Sequence, residues 1–246
     1  MLRSIGELEG RAWDSLFAAE TENADYLRAV ETAGMAEFQW RYLIVEDAGR
    51  VIAAAPAFLT DYALDTTLVG AGRRIVGGLR RRFPRALTMR LACIGSPCTE
   101  TAQLGFDPRL DRNGRAAALR LLVKEFERAA AAEGCRLLAV KDVAAAQRPL
   151  CDQVLEPLGY RSLAGLPVAY LEIDFRSIED YLGRLSPGTR RDMRRKLRML
   201  EHVRIEIRAG LHGVLDRVMS LYAQTRARAA MQFETLPPAY FTAVTE

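Results

Sequence analysis

The chain has 246 residues and a mass of 27.4 kDa; half of its residues are hydrophobic and 27% are charged, the balance of a globular protein with a sizeable core. The formal net charge of +4 is concentrated in residues 73–85 and 190–198, so it favours anionic ligands over general nucleic-acid binding, and no DNA partner is expected. Two histidines, and four cysteines without a CxxC pair, argue against a disulfide scaffold, a histidine-based metal site and a Ser-His-Asp triad, so no metal is expected.

The compartment is predicted from the cysteines and from the lack of targeting signals. Met1 is followed by Leu-Arg-Ser and an acidic helix rather than by an apolar signal core, and no apolar run is long enough to span a membrane. We therefore expect reduced thiols and a cytoplasmic protein.

Helices and a hairpin are predicted at the start of the chain. Residues 7–33 have the apolar spacing of two amphipathic helices. Residues 40–46 and 51–59 are β-rich and flank the turn Asp47-Ala48-Gly49-Arg50, which predicts a β-hairpin. The basic segment 73–85, where arginines alternate with apolar residues, predicts peripheral contact with an anionic membrane or a lipid tail; the alternative is a solvated loop.

Strands and helices alternate after that segment. We predict a strand at 87–94, a helix at 112–132, a strand at 136–141, a helix at 148–157 and a strand at 168–175. This order indicates an α/β (α+β) protein with a mixed sheet flanked by helices.

The pattern begins again near residue 176. A helix at 177–184, a basic helix from Thr189 to Leu200, a strand at 203–208 and a helix at 211–229 are followed by the start of another helix at 236. One strand cannot close a core, so we expect the natural chain to continue past residue 246.

The basic helix has a wet face made almost entirely of guanidinium groups. Ser-Pro-Gly at 186–188 interrupts the preceding helix, and Thr189 is the predicted N-cap. Arginine forks suit carboxylates and phosphates, so Arg190, Arg191 and Arg194 are predicted to bind an anionic group of a substrate. The alternative is a solvated basic face.

The layout of residues 36–175 resembles the GNAT, or acyl-CoA N-acyltransferase, fold. The segments Leu158-Gly159-Tyr160, Ile178 to Leu182 and Thr189 to Lys196 resemble the FemAB-like branch, in which two GNAT-like domains are joined in tandem. The resemblance implies an N-terminal GNAT-like domain at 1–175, with its sheet splayed midway, and the truncated start of a second at 176–246.

The resemblance also implies sites. The loop that binds the acyl carrier's pyrophosphate corresponds to residues 111–116, with Gly114, Arg115 and Ala116 as binding residues, although the acidic Asp111 departs from the family pattern. Asp142 and Glu234 are the candidate catalytic bases, with Glu100 as a further one; the alternative for each is a helix cap or a surface charge. An acceptor site is expected at three residues of the second copy, namely Tyr222, Arg226 and Phe233; the alternative for Tyr222 is a place in the core.

The implied reaction is attack of a neutral amine on an activated acyl carbonyl, with acyl-CoA, or a charged tRNA, as co-substrate. The acceptor would be a small-molecule or lipid-linked amine, such as a cell-wall precursor or a long-chain amine, near a membrane if 73–85 binds one. Residues 1–246 alone are predicted to be inactive. Two alternatives stay open: a non-catalytic ligand-binding module of the same fold, which Asp111 favours, and a nucleic-acid binder that uses helix 190–198.

Overall fold

A mixed sheet forms the centre of the larger of two structural units. The computed structural model describes residues 1–18, 20–63, 88–165, 169–229 and 233–245. The larger unit comprises Met1–Leu163 together with Gly210–Glu246, and the smaller one comprises Ala164–Ala209. The basic segment 73–85 lies outside the described residues.

The sheet contains antiparallel and parallel pairs. Its described strands are β1 (Gln39–Asp47), β2 (Arg50–Ala63), β3 (Thr88–Ile94), β4 (Gly105–Phe106) and β5 (Leu137–Val140). The order is β1-β2-β3-β5, with β4 paired to β2, and the one parallel pair among these strands is β3 with β5. The predicted mixed sheet and the α/β class are confirmed.

The predicted hairpin is also confirmed. Asp47 pairs with Arg50, so the loop contains two residues, Ala48 and Gly49, and both have positive φ (48° and 76°). Two positive φ angles are what a two-residue turn needs to match the right-handed twist of its strands. Glycine adopts this geometry freely, and a short loop therefore follows directly from the local sequence.

Eight α-helices lie in the described part of the chain, six in the larger unit and two, at 178–184 and 187–198, in the smaller one. They are α1 (Gly10–Asp14), α2 (Ala24–Thr32), α3 (Arg112–Ala132), α4 (Arg148–Leu155), α5 (Ile178–Arg184), α6 (Pro187–Arg198), α7 (Leu215–Arg228) and α8 (Pro238–Ala243). Single 3₁₀ turns occur at Ile5–Glu7, Glu156–Leu158 and Met199–His202. Among the described helices, none combines the length and the apolar character that crossing a bilayer requires.

Strand β2 is buried on both of its faces, which explains its nearly continuous apolar sequence. Successive side chains of a strand point to opposite sides of the sheet. Ala53, Ala55, Ala57 and Leu59 pack in one cluster with the apolar face of α3 and with α4. Ala54 packs on the other side with α1 and α2, and Phe58 packs there with α2. The sheet therefore lies between two helical layers.

Two predicted strands are wrong. Residues 169–175 and 203–208 carry no regular secondary structure, although both have the alternating apolar pattern. Their apolar side chains are exposed: Ile173 is 79% and Ile207 98% accessible. A strand requires a hydrogen-bonded neighbour, and no described strand lies beside either segment. An alternating sequence therefore predicts a strand only where a partner edge is available.

The smaller unit contains the basic helix, and its N-cap differs from the prediction. Ser186, rather than Thr189, caps α6 by accepting a hydrogen bond from the Thr189 N–H at 3.3 Å. Pro187 occupies the first turn, where the absent N–H of proline costs nothing. The Ser-Pro-Gly segment therefore starts the helix as well as interrupting the previous one.

The larger unit includes the C-terminal part of the chain, from Gly210 onwards. Phe233, Leu236 and Tyr240 contact this sheet or its helices. The division into domains at 1–175 and 176–246, with a second GNAT-like domain beginning at 176, stays a prediction.

Candidate active site

The parallel strands β3 and β5 end at the same edge of the sheet, which is the usual position of ligands in sheets of this kind. Their pairing is unbroken from Leu91–Leu137 to Ile94–Val140. The Lys141 amide extends it by donating to the Ile94 carbonyl at 3.1 Å. The splay that the resemblance implied is therefore absent from this part of the sheet.

Gly95 and Lys141 meet at this edge. Gly95 has φ of 119°, and a Cβ placed on it would lie 2.6 Å from the Lys141 Cγ. The Lys141 Nζ donates to the carbonyls of Ser96 at 3.0 Å and Thr99 at 2.7 Å. One ammonium group thus holds the loop after β3, and it can pass over the strand end because Gly95 has no side chain.

Asp142, a predicted base, lies beside this lysine. Its carboxylate is 2.9 Å from the Lys141 Nζ, and its backbone has a left-handed φ of 49°. The Asp142 carbonyl accepts a hydrogen bond from Ala102 at 3.2 Å. The Lys141 ammonium thus occupies this carboxylate and links it to the loop after β3. The geometry therefore suits Asp142 to positioning the loop.

Glu234, the other predicted base, lies near Cys98. Burial raises the pKa of the Cys98 thiol to about 12, and the negative charge of Glu234 adds to that rise. The Glu234 side chain is half-buried and, in the described part of the chain, has no hydrogen-bond or ion-pair partner. Lys141 occupies the Asp142 carboxylate, whereas the Glu234 carboxylate has no partner in the described residues that a substrate amine would have to displace.

Two tyrosines meet beside Cys98. The Tyr26 hydroxyl donates to the Cys98 carbonyl at 2.7 Å and lies 3.1 Å from the Tyr240 hydroxyl. Burial raises the pKa of both phenols, so both are neutral at physiological pH. Neutral phenols are proton donors, and the negative charge of Glu234 adds to the rise in the pKa of Tyr240.

The predicted acceptor residues contact the C-terminal segment that contains Glu234 or belong to it. Phe233 packs on Phe38 and Phe58, with ring centroids 5.5 and 6.0 Å apart. The Tyr222 hydroxyl accepts from the Leu236 N–H at 2.9 Å. The Arg226 Nε donates to the Glu234 carbonyl at 3.4 Å. The structure thus brings Tyr222, Arg226, Phe233 and Glu234 together.

The predicted phosphate loop does not fit a pyrophosphate as it is folded here. The Asp111 carboxylate caps α3 by accepting from the Gly114 N–H at 2.7 Å, where a phosphate would bind. The Arg115 Nε donates to the Leu110 carbonyl at 3.1 Å, and Ala116 is buried. A phosphate would have to displace Asp111, so no step is assigned to this loop.

Sequence reasoning missed three contributors to this site: Lys141, Tyr26 and Tyr240. The position of Lys141 at the end of a predicted strand, beside Asp142, was a usable signal. No local signal exists for Tyr26, because it is 72 residues from Cys98 and 214 from Tyr240. Within the described ranges, no group of three or more His, Cys, Asp or Glu is arranged to hold a metal ion.

The predicted arginines belong to the smaller unit, where an open groove runs between α5 and α6. Arg190, Arg191 and Arg194 all line this groove, as does Arg198, which was not predicted. Only some of these guanidinium groups are available to a ligand, because others have partners within the protein. The basic face is therefore not uniformly solvated.

Comparisons with known proteins give distant similarities. No protein-family profile matches the chain. The chain is 27% identical over 189 residues to the putative 8-amino-7-oxononanoate synthase 2 of two Mycobacterium tuberculosis strains, CDC 1551 / Oshkosh and ATCC 25618 / H37Rv. The aligned region covers 74% of this chain and 24% of each relative. The chain therefore spans about a quarter of the length of these relatives.

Two solved structures are similar in fold at 14% identity. One is the apo aminoglycoside antibiotic 6'-N-acetyltransferase of Acinetobacter haemolyticus, with a TM-score of 0.39 over 67% of this chain and 92% of that one. The other is a Trypanosoma brucei acetyltransferase, with a TM-score of 0.38 over 67% of this chain and 96% of that one.

Proposed function

We propose that this chain is a GNAT-like N-acyltransferase that moves an acyl group from a thioester such as acyl-CoA to an amine. The observation that carries the proposal is the half-buried carboxylate of Glu234, which has no partner among the described residues and whose charge acts on the Cys98 thiol and the Tyr240 phenol. Amide formation needs a base for the amine and a proton donor for the leaving thiolate.

In the proposed reaction, the nitrogen of the neutral amine attacks the acyl carbonyl, the C–S bond breaks and an amide forms. Glu234 accepts the proton that the amine loses. Tyr240, whose raised pKa keeps it neutral, supplies a proton to the departing thiolate and regains one from Glu234, so that both groups return to their starting states and the net transfer is from the amine to the thiolate. Asp142 acts through Lys141 by holding the loop that follows β3. No nucleophilic side chain takes part.

The finer assignments belong to this proposal. The donor is acyl-CoA or a charged tRNA, and the acceptor is a cell-wall precursor or a long-chain or lipid amine that Tyr222, Arg226 and Phe233 help to bind. The chain is a FemAB-like tandem protein of the cytoplasm, membrane-proximal through 73–85, and residues 1–246 alone are inactive. The activity named for the curated relatives is not extended to this chain, which spans a quarter of their length.

A second candidate function, a non-catalytic ligand-binding module of the same fold, is favoured by one observation. The Asp111 carboxylate occupies the N-terminus of α3, and a negative charge there repels a phosphate. Such a module would bind an amine or an acyl chain without turnover.

The test measures carrier binding and turnover by the full-length natural protein, because residues 1–246 alone are proposed to be inactive. In a thermal-shift assay, acetyl-CoA or long-chain acyl-CoA should raise the melting temperature of the protein. When an amine is added together with the acyl-CoA, mass spectrometry should detect the amide product. Glu234→Gln should lower kcat by roughly 100-fold or more, since it removes the proton acceptor. Glu46→Gln, an exposed change on β1, is the matched control and should leave kcat unchanged.

A carrier-induced shift without any amide product would favour the module. If no carrier shifts the melting temperature and no amide forms, the acyltransferase proposal fails. Robust acyl transfer by residues 1–246 alone would contradict the proposal that they are inactive.

A further inference from the structure

The groove between α5 and α6 combines an apolar floor with a guanidinium rim. Its volume is about 740 Å³. Ile178 and Leu182 of α5, four residues apart and hence on one helix face, line one wall. Pro187 and Leu197 of α6 line the other. Leu182 is buried, whereas Ile178 is 52% exposed, so apolar surface is open to a ligand.

Arg190 is not available to a ligand. Its guanidinium donates to the carbonyls of Leu182, Gly183 and Leu185 at 2.8, 2.9 and 2.9 Å. Carbonyls at the end of a helix lack partners within the helix, so this arginine completes the C-terminus of α5. Its role is to join α5 to α6 and thereby form the groove.

Two further cations of α6 share one carboxylate partner outside the groove. Arg195 and Lys196 both pair with Asp192 at 2.7 Å, and none of these three residues lines the groove. Arg194 does line it, but it pairs with Glu179 at 2.9 Å. Both partners of that pair are exposed, and exposed ion pairs are weak, so an incoming anion can compete for Arg194.

Arg191 and Arg198 are the groove arginines whose guanidinium groups are available to a ligand. Both line the groove and are exposed, and neither makes a hydrogen bond or an ion pair with any part of the chain that the structure describes. They are seven residues apart, which is two helical turns, with Arg194 between them on the same side. Three guanidinium groups thus follow the groove above its apolar floor.

We propose that this groove binds a phosphate monoester that carries an apolar chain. Arg191 and Arg198, assisted by Arg194, donate charge-assisted hydrogen bonds to the phosphate oxygens, and the chain lies on Ile178, Leu182 and Leu197. Neither a bare anion nor an uncharged chain would satisfy both parts of the groove. The proposal does not depend on acyl transfer, because it concerns binding to residues 164–209.

The probe is octyl phosphate, measured by calorimetry with the full chain and compared with inorganic phosphate and octanol. The dissociation constant of octyl phosphate should be roughly tenfold or more below those of inorganic phosphate and octanol. A gain of about 1.4 kcal/mol in binding free energy from burying apolar surface corresponds to a tenfold lower dissociation constant. The double variant Arg191→Ala/Arg198→Ala should lower the affinity for octyl phosphate by roughly tenfold or more. Ile178→Asn should weaken octyl phosphate and leave inorganic phosphate unchanged.

Arg195→Ala/Lys196→Ala is the matched control. It removes the same charge from the same helix outside the groove, so octyl phosphate should bind within about twofold of the unchanged protein. Competition between octyl phosphate and vesicles containing phosphatidic acid distinguishes the two sources of this chemistry. Vesicle binding that octyl phosphate displaces identifies a lipid headgroup, and octyl phosphate binding without vesicle binding identifies a free phosphorylated amphiphile.

Three outcomes would overturn the proposal. The first is that octyl phosphate does not bind. The second is that the control double variant lowers the affinity for octyl phosphate as much as the groove double variant does. The third is that an oligonucleotide binds through Arg191 and Arg198 and octyl phosphate does not displace it.

Discussion

At the scale of single residues, Gly95 carries the strongest constraint near the candidate active site. The Lys141 side chain passes over it to reach two carbonyls of the following loop, Ser96 and Thr99. Its φ of 119° lies in a region that other residues rarely adopt. Close approach and backbone conformation therefore both require glycine here.

We expect Gly95→Ala to destabilise the larger unit by about 2 kcal/mol or more, because the new Cβ meets the Lys141 Cγ and the backbone is strained. Urea unfolding followed by circular dichroism measures the change. Gly10→Ala, where a Cβ would lie 3.5 Å from Ala24, is the control and should change stability by less than about 1 kcal/mol. Equal effects of the two substitutions would refute the argument.

At the scale of elements, a partly buried ion pair joins α3 to β1. The Arg41 Nη2 donates to the Glu133 carboxylate at 2.9 Å, and the Arg41 side chain is only 9% exposed. The hydrogen bond from Arg41 holds the pKa of Glu133 below its usual value. A depressed pKa in the folded state means that this stabilisation is present at neutral pH and is lost as the pH falls through the folded pKa.

Glu133→Gln should therefore lower stability at pH 7 by about 1–3 kcal/mol, because Arg41 is left buried beside a neutral amide. The difference from the unchanged protein should shrink as the pH falls through the depressed folded-state pKa of Glu133, where the carboxylate becomes protonated in the folded protein as well. Unfolding free energies between pH 3 and 7 provide the measurement, with Glu46→Gln as an exposed control. A difference that is constant over this pH range would contradict the pairing.

At the scale of the whole molecule, residues far apart in the chain assemble one aromatic cluster. Phe233 contacts Phe38 and Phe58, with Tyr62 at 6.1 Å, so the C-terminal segment covers the face of the sheet opposite α3. Tyr240 adds a hydrogen bond to Tyr26 on α2. This packing also places Glu234 near Cys98.

Phe233→Ala should lower the free energy of unfolding by about 1–3 kcal/mol. This loss is smaller than that for truncating a fully buried phenylalanine, because the Phe233 side chain is 37% exposed. The substitution should also expose the C-terminal segment to limited proteolysis before the rest of the larger unit unfolds. Tyr170→Ala, at an aromatic residue that is 89% exposed, is the comparison and should have little effect on either readout. Intact protease resistance in Phe233→Ala would show that the segment is held by other contacts.

Local chemistry allowed several elements to be predicted from the sequence alone. The Asp-Ala-Gly-Arg turn predicted the hairpin, because two positive φ angles are needed there, and the bounds of α3 at Arg112 and Ala132 followed from its apolar spacing and its terminal glycine. The mixed sheet followed from the order of these elements. The predictions of strands at 169–175 and 203–208 were wrong. A strand needs a neighbouring strand for its hydrogen bonds, and an alternating sequence does not reveal whether such a neighbour is present.

The sequence by itself determined where helices, turns and basic residues lie, since these depend on neighbours within a few positions. Only the tertiary structure decided which side chains meet. It placed Tyr26, Cys98, Tyr240 and Glu234 together from distant parts of the chain. It also separated Arg190, which three carbonyls occupy, from its neighbour Arg191, which has no partner in the described residues. The physical reason is that hydrogen-bond partners and burial are set by packing across elements, and identical residues one position apart on a helix face different surroundings.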